Sequence, residues 1–169
     1  MIEFEVTDNI FFEALARAEE LGKLKRSIRK GEGNIVGFIG EIAVQNFLRG
    51  AKKSNTFDYD LLLKNGQTVD VKSKMRAVKP KDYYDCSIAD YYLQKCDWYV
   101  FCSILNDKKN PEFYPKGWIL GFKSKDGIIS EGSRVKKGDF DSDNNFTAHT
   151  DGYSIPISKL DTDYERLTT

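Results

Sequence analysis

The stretch Phe57-Asp58-Tyr59-Asp60-Leu61-Leu62-Leu63-Lys64-Asn65-Gly66-Gln67-Thr68-Val69-Asp70-Val71-Lys72-Ser73-Lys74 reads as two strands, 56–64 and 67–74, around an Asn-Gly turn. A two-residue turn on Asn65-Gly66 would pair Lys64 with Gln67, and hence Leu61 with Asp70. A three-residue loop, with Gly66 left-handed in a bulge, pairs Leu63 with Gln67, Leu61 with Val69 and Asp60 with Asp70. Only this second register sorts the chemistry. One face then carries Phe57, Tyr59, Leu61, Leu63, Val69 and Val71; the other carries Asp58, Asp60, Asp70, Lys72 and Lys74, with Leu62 its sole apolar member. A one-residue slip exchanges the faces of a strand, so the clean sorting predicts the three-residue loop.

Upstream, a helix is expected from about Ile35 to Leu48, after a loop at Gly31-Glu32-Gly33-Asn34. It is apolar on most sides (Ile35, Val36, Phe38, Ile39, Ile42, Val44, Phe47, Leu48), as a helix buried between other elements is. Gly37 and Gly40 are read as positions where it approaches a neighbouring backbone. Glu41 is out of place there, because a buried carboxylate is costly unless it is paired or holds a metal. Further upstream, residues 8–24 form an amphipathic pattern, with Asp8 as N-cap and Ile10, Phe11, Leu15 and Leu21 at helical spacing.

Downstream, residues 75–95 are expected as a loop with a short helix near Ile88 to Leu93. Trp98 to Leu105 reads as a buried central strand and Trp118 to Lys123 as the next, separated by a polar turn at Asn106 to Pro111. The rest is a loop-rich tail with one short strand around Tyr153 to Ile157.

Composition bounds the chemistry. The chain has 169 residues, 40% of them hydrophobic and 31% charged, within the range of one globular domain. No apolar run approaches the roughly 18–20 residues that span a bilayer. The first residues lack the basic-then-apolar layout of a signal peptide, so the expected compartment is cytoplasmic and no membrane partner is expected. Cys86, Cys96 and Cys102 have neither the number nor the spacing of a disulfide framework or zinc knuckle. His149 is the only histidine, which excludes mechanisms that need a histidine pair. The 26 basic and 26 acidic residues cancel, which argues against coating nucleic acid through global charge. The basic residues are nonetheless clustered, at Lys23, Lys25, Arg26, Arg29 and Lys30 and again at Lys72, Lys74, Arg76, Lys79 and Lys81.

Glu41, Asp60 and Asp70 would repel one another if brought together without a cation. An all-oxygen ligand set suits magnesium or manganese, which can lower the pKa of a bound water and neutralise a phosphoryl oxygen. A lysine beside them can orient or deprotonate the attacking water and stabilise the charge of the transition state. Ligands, nucleophile activation and charge neutralisation together are what phosphodiester hydrolysis needs.

The order Gly40-Glu41 on a helix, Asp60 on the first hairpin strand and Asp70-Val71-Lys72 on the second resembles the PD-(D/E)XK, or restriction-endonuclease-like, nuclease superfamily. The resemblance covers roughly residues 35–123. It implies an α/β (α+β) fold with a mixed central β-sheet flanked by helices. Residues 1–34 are then an N-terminal helix and basic loop, 35–123 a catalytic core, and 124–169 a loop-rich C-terminal extension. It also implies that Glu41, Asp60 and Asp70, with the Val71 carbonyl, bind Mg2+ or Mn2+, and that Lys72 serves the attacking water. No proline precedes Asp60, where Tyr59 stands; Asp58 shares the predicted face, and Asp60 is preferred because it pairs with Asp70. Lys74, Arg76, Lys79 and Lys81, with Arg26, Arg29 and Lys30 across the cleft, are expected to track a phosphate backbone. Tyr83, Tyr84, Tyr91 and Tyr92 are candidates for stacking on bases. The expected activity is a metal-dependent DNA nuclease of the kind phage and mobile-element genomes encode. The substrate form (duplex, single-stranded or branched) is open, and a homodimer is expected if both strands of a duplex are cut. The alternative is a nuclease-like fold that binds nucleic acid or assembles without turnover.

Overall fold

A computed structural model describes residues 1–23, 32–54, 56, 58–89, 94–107, 109–110, 112–141 and 146–168, with the side chains of 22–23, 32–34 and 146 outside that description. The chain begins with strand β1 (Ile2–Glu5), helix α1 (Asp8–Lys23) and helix α2 (Glu32–Phe47). Then come β2 (Lys52–Lys53), β3 (Leu61–Leu62), β4 (Thr68–Arg76), β5 (Asp85–Ala89), β6 (Trp98–Leu105) and β7 (Lys116–Ser124). The last part holds α3 (Lys125–Glu131), β8 (Ser133–Val135), β9 (Phe140–Asp141), β10 (Phe146–Thr147) and β11 (Gly152–Pro156).

Six strands form a mixed sheet in the order β1-β7-β6-β4-β3-β2, in which β4 and β6 run parallel and the other neighbours antiparallel. The protein is therefore α+β, with its central sheet covered on both faces. Against one face lies α2, whose Val36, Ile39 and Val44 pack with Val69, Val71, Val100, Cys102 and Ile104 of the sheet. Helix α1 packs against α2. The other face carries Tyr99, Phe101, Trp118 and Leu120 and is covered by Cys86, Ile88, Ile128 and Ile155. Those residues come from α3 and from a second, antiparallel sheet in the order β5-β11-β8. Among the described residues no helix is long and apolar enough to cross a membrane.

The hairpin has the expected register. Leu61 faces Val69 and Leu62 faces Thr68, with Leu63 N–H donating to Gln67 O at 2.8 Å and Gly66 at φ +86°. Leu61, Leu63, Val69 and Val71 are buried, as the sorting requires. The first strand is much shorter than expected: β3 holds only Leu61 and Leu62, the last backbone bond to β4 is Asp60 N–H to Val69 O, and the next β4 donor, Val71 N–H, is taken by the Asp60 side chain. Gly40 does make a close approach, though to side chains rather than to the expected backbone, since a Cβ there would lie 1.9 Å from Ser73 Oγ and 3.3 Å from Cys102 Cβ. Gly37 has no such role, with nothing within 4 Å of its Cβ position.

Other expectations shift. Glu32 to Asn34, read as loop, are the first residues of α2. The α1 cap is Thr7, whose Oγ1 accepts the Ile10 N–H at 3.4 Å, and Asp8 sits in the first turn. Ile88 belongs to strand β5 rather than to a short helix; the remainder of that expected helix, residues 90–93, lies outside the described residues. Strands at Trp98–Leu105 and around Trp118–Lys123 are present. The C-terminal part is less loop-rich than expected, since α3, β8 and β11 build the cover of one sheet face.

Candidate active site at the open edge of strand β4

Strand β3 stops at Leu61, so from Asp70 onward β4 has lost its neighbour on that side while β6 still pairs with it on the other. The lost ladder bond is replaced by a side chain: Asp60 Oδ2 accepts the Val71 N–H at 2.7 Å. The Asp60 N–H donates to Val69 O at 2.9 Å and its carbonyl accepts Ser54 N–H at 2.7 Å, so the residue is held from both directions. The N–H and C=O of one strand residue point to the same side. The Val71 carbonyl therefore faces this same open edge.

Alternation along β4 sends Val69 and Val71 toward α2 and Asp70 and Lys72 to the opposite face. The Asp70 side chain is only 4% exposed. Its Oδ1 accepts the Gln94 amide at 2.6 Å, and Gln94 Oε1 in turn accepts Tyr99 OH at 3.4 Å. Oδ2 is buried and stands 2.6 Å from Lys72 Nζ, its ion-pair partner. Lys72 Nζ also lies 5.8 Å from the centre of the Tyr99 ring, within cation–π reach. Gln94 and Tyr99 were not singled out from sequence, because nothing local marks a partner 24 residues from Asp70.

Glu41 reaches this edge from α2. Its Oε2 is 3.7 Å from Arg17 Nη1, and Arg17 also pairs with Glu13 one turn earlier on α1. Arg17 is a residue that the sequence reading passed over. The signal was available: it sits beside Ala14 and Ala18 on the buried face of an amphipathic helix, where an arginine needs a partner.

The three carboxyl groups share one electrostatic field. Burial, then the Asp60 charge, push Glu41 up to about 8, against the pull of Arg17. Burial, then the Asp70 charge, push Asp60 up to about 6, against the Val71 N–H and Lys72. Burial also raises Asp70, opposed by Lys72 and Gln94. Two cations, Arg17 and Lys72, thus border three acids whose ionised forms are under-compensated.

Among the described residues no group of three or more His, Cys, Asp or Glu side chains stands close enough together to hold a metal ion. The chemistry of the donors nevertheless suits a hard divalent cation: carboxylate oxygens, a carbonyl at the same edge, and a buried Asp70 Oδ2 whose partner is the Lys72 ammonium alone.

The structure separates the basic residues expected to follow the site. Lys74 continues the face of Asp70 and Lys72 and is partly buried, its pKa lowered by that burial and then by Arg76. Arg76 is committed internally, donating to Asp85 O at 3.0 Å with its guanidinium 4.7 Å from the Tyr84 ring centre. Lys79 is within electrostatic range of Glu3, on β1 at the far edge of the sheet. Lys81 is exposed and stacks over Tyr83 at 5.6 Å. Arg26, Arg29, Lys30, Tyr91 and Tyr92 lie outside the described residues. Asp58 is half-buried, and no hydrogen bond ties it to β4 as one ties Asp60.

Comparison with known proteins adds no relative: no protein-family model matches this sequence, and no curated protein matches it.

Proposed function

We propose that this protein is a metal-dependent nuclease that hydrolyses phosphodiester bonds of DNA, built on a restriction-endonuclease-like core of α2, the β3–β4 hairpin, β6 and β7. The observation that carries this reading is the Asp60 carboxylate capping the Val71 N–H at 2.7 Å. It holds Asp60 at the strand edge from which Asp70 projects, where burial and the neighbouring acids oppose ionisation. Glu41, Asp60, Asp70 and the Val71 carbonyl would hold Mg2+ or Mn2+. When bound, the cation supplies neutralisation of phosphoryl charge and a water of lowered pKa.

The remaining work falls to the chain. Gln94 holds one oxygen of Asp70 and the Val71 N–H one oxygen of Asp60, which limits the rotation of both carboxylates. Lys72 Nζ, already 2.6 Å from Asp70, stands where it can orient the attacking water and carry charge developing on the equatorial oxygens. Arg17 holds Glu41 from behind and offsets part of the repulsion from Asp60.

The test is cleavage of labelled duplex, single-stranded and branched DNA with magnesium or manganese, comparing wild type with Asp70→Ala and Lys72→Ala. Metal-dependent cutting lost in both variants is the expected outcome. Cutting that survives both substitutions, or its absence on every substrate, contradicts the proposal.

A further inference from the structure

Lys74 is the next residue on the face of β4 that carries Asp70 and Lys72, about 6.6 Å beyond Lys72 at ~3.3 Å per strand residue. It borders a cavity of about 470 Å³ between the second sheet and the β9 segment, within the usual range for small-ligand sites. Asp85 and Ser87 of β5, Phe140 and Asp141 of β9 and Tyr153 of β11 also line it. The proposed catalytic face therefore runs directly into a second, differently built space.

Its lining selects among the parts of a nucleic acid. Asp85 and Asp141 repel phosphate but accept hydrogen bonds from exocyclic amino groups, which adenine, cytosine and guanine carry and thymine does not. Phe140, which is 63% exposed, and the half-buried Tyr153 offer ring faces for stacking. Arg134 lies 4.9 Å from the Tyr153 ring centre and steadies it. Lys74, within the field of Asp85 and Asp141, is the basic residue on the side toward Lys72.

We propose that this cavity is a subsite for one unpaired, amino-bearing nucleobase, one or two nucleotides from the bond that is cut. The proposal rests on the nuclease reading of the neighbouring edge and extends it: the substrate presents a single-stranded or flipped-out nucleotide there. A base within a duplex keeps both ring faces stacked on its neighbours, so a continuous duplex is the poorer ligand.

The experiment is fluorescence anisotropy of the full chain with labelled eight-nucleotide single strands of dA, dC or dT, and with an abasic strand, in calcium buffer. The variants are Ser87→Trp, which fills the cavity from an exposed strand position, and Phe140→Ala, which removes an exposed ring. Strands of dA and dC should bind about tenfold more tightly than dT or the abasic strand, from one amine contact and one stack. Ser87→Trp should erase that difference while leaving the magnesium-induced rise in Tm unchanged, and Phe140→Ala should reduce it severalfold. Equal binding of all four strands, no binding of any, or a base preference untouched by Ser87→Trp overturns the subsite. Loss of cleavage and of magnesium stabilisation with the base preference intact would instead sink the nuclease reading and leave the subsite standing.

Discussion

Among the described residues, the charges buried around Lys123 and those at the β4 edge are built on opposite logics. At the end of β7, Lys123 is 10% exposed in its side chain, yet it stands 3.0 Å from Glu131 and 3.6 Å from Asp161 and donates to Lys159 O at 3.1 Å. The cation is at the centre, and its carboxylate partners are 47% and 33% exposed, so each keeps part of its hydration. At the β4 edge the arrangement is inverted. Acids occupy the centre, Asp70 at 4% and Glu41 at 17% exposure, and the cations Arg17 and Lys72 flank them. The first cluster ties α3 and the C-terminal segment to the sheet and needs nothing further. The second is under-compensated, and an added divalent cation would complete it.

Substitution should separate the two. Asp70→Asn should lower single-turnover cleavage by on the order of 10²–10³-fold, while its Tm in metal-free buffer holds or rises because one repelling charge is gone. A fall in Tm with cleavage intact would make Asp70 a structural residue like Lys123. The converse applies to Lys123→Met. It should lose about 2 kcal/mol in urea denaturation, by stranding a buried carbonyl and two half-solvated acids, while the folded fraction keeps wild-type cleavage. Equal stability of that variant would show that the β7 cluster contributes little.

The pH dependence sharpens the contrast. Glu41 and Asp60 are raised in the folded state, to about 8 and about 6 from ordinary values of 4.5 and 3.8. Between the unfolded and folded values the native state binds more protons, so stability must fall as pH rises. The metal-free protein should therefore lose several kcal/mol, on the order of 5 at most, between pH 5 and pH 8, and saturating magnesium should flatten that slope. Metal-free stability that is level or rises over this window would show the acids to be compensated already. The smallest effect is expected at Arg17. Removing its positive charge in Arg17→Gln raises Glu41 further, so the acid limb of the pH–rate profile should move up by a fraction of a unit. Arg17→Lys should restore it, and an unmoved limb would leave Arg17 with packing alone.

The same contrast explains what the sequence could disclose. Strand alternation around Asn65-Gly66 carried the hairpin register, because a slip would have put Leu61 and Leu63 on the wrong face. The apolar run of α2 around Glu41 marked that acid as anomalous for the same reason. What stayed hidden depends on distant partners. Asp60 hydrogen-bonds the backbone across the turn instead of extending β3, and strand propensity carries no trace of that. The edge strand β1 was missed although Ile2, Phe4 and Val6 alternate, because four residues gain stability only by pairing with β7. Strand β5 lies in a tyrosine-rich stretch whose pattern suits a loop as well, and only Ile155 and the Tyr99 face of the sheet settle it.

The most direct measurement is anomalous diffraction from crystals of the wild-type chain soaked with manganese, with Asp70→Ala crystals treated alike. A manganese peak at ~2.0–2.2 Å from carboxylate oxygens of Asp60 and Asp70 and from the Val71 carbonyl, absent in the variant, is the result this account predicts. An empty β4 edge at saturating manganese, with Asp70 still paired only to Lys72 and Gln94, would contradict it and favour a nuclease-like fold that binds nucleic acid without turnover.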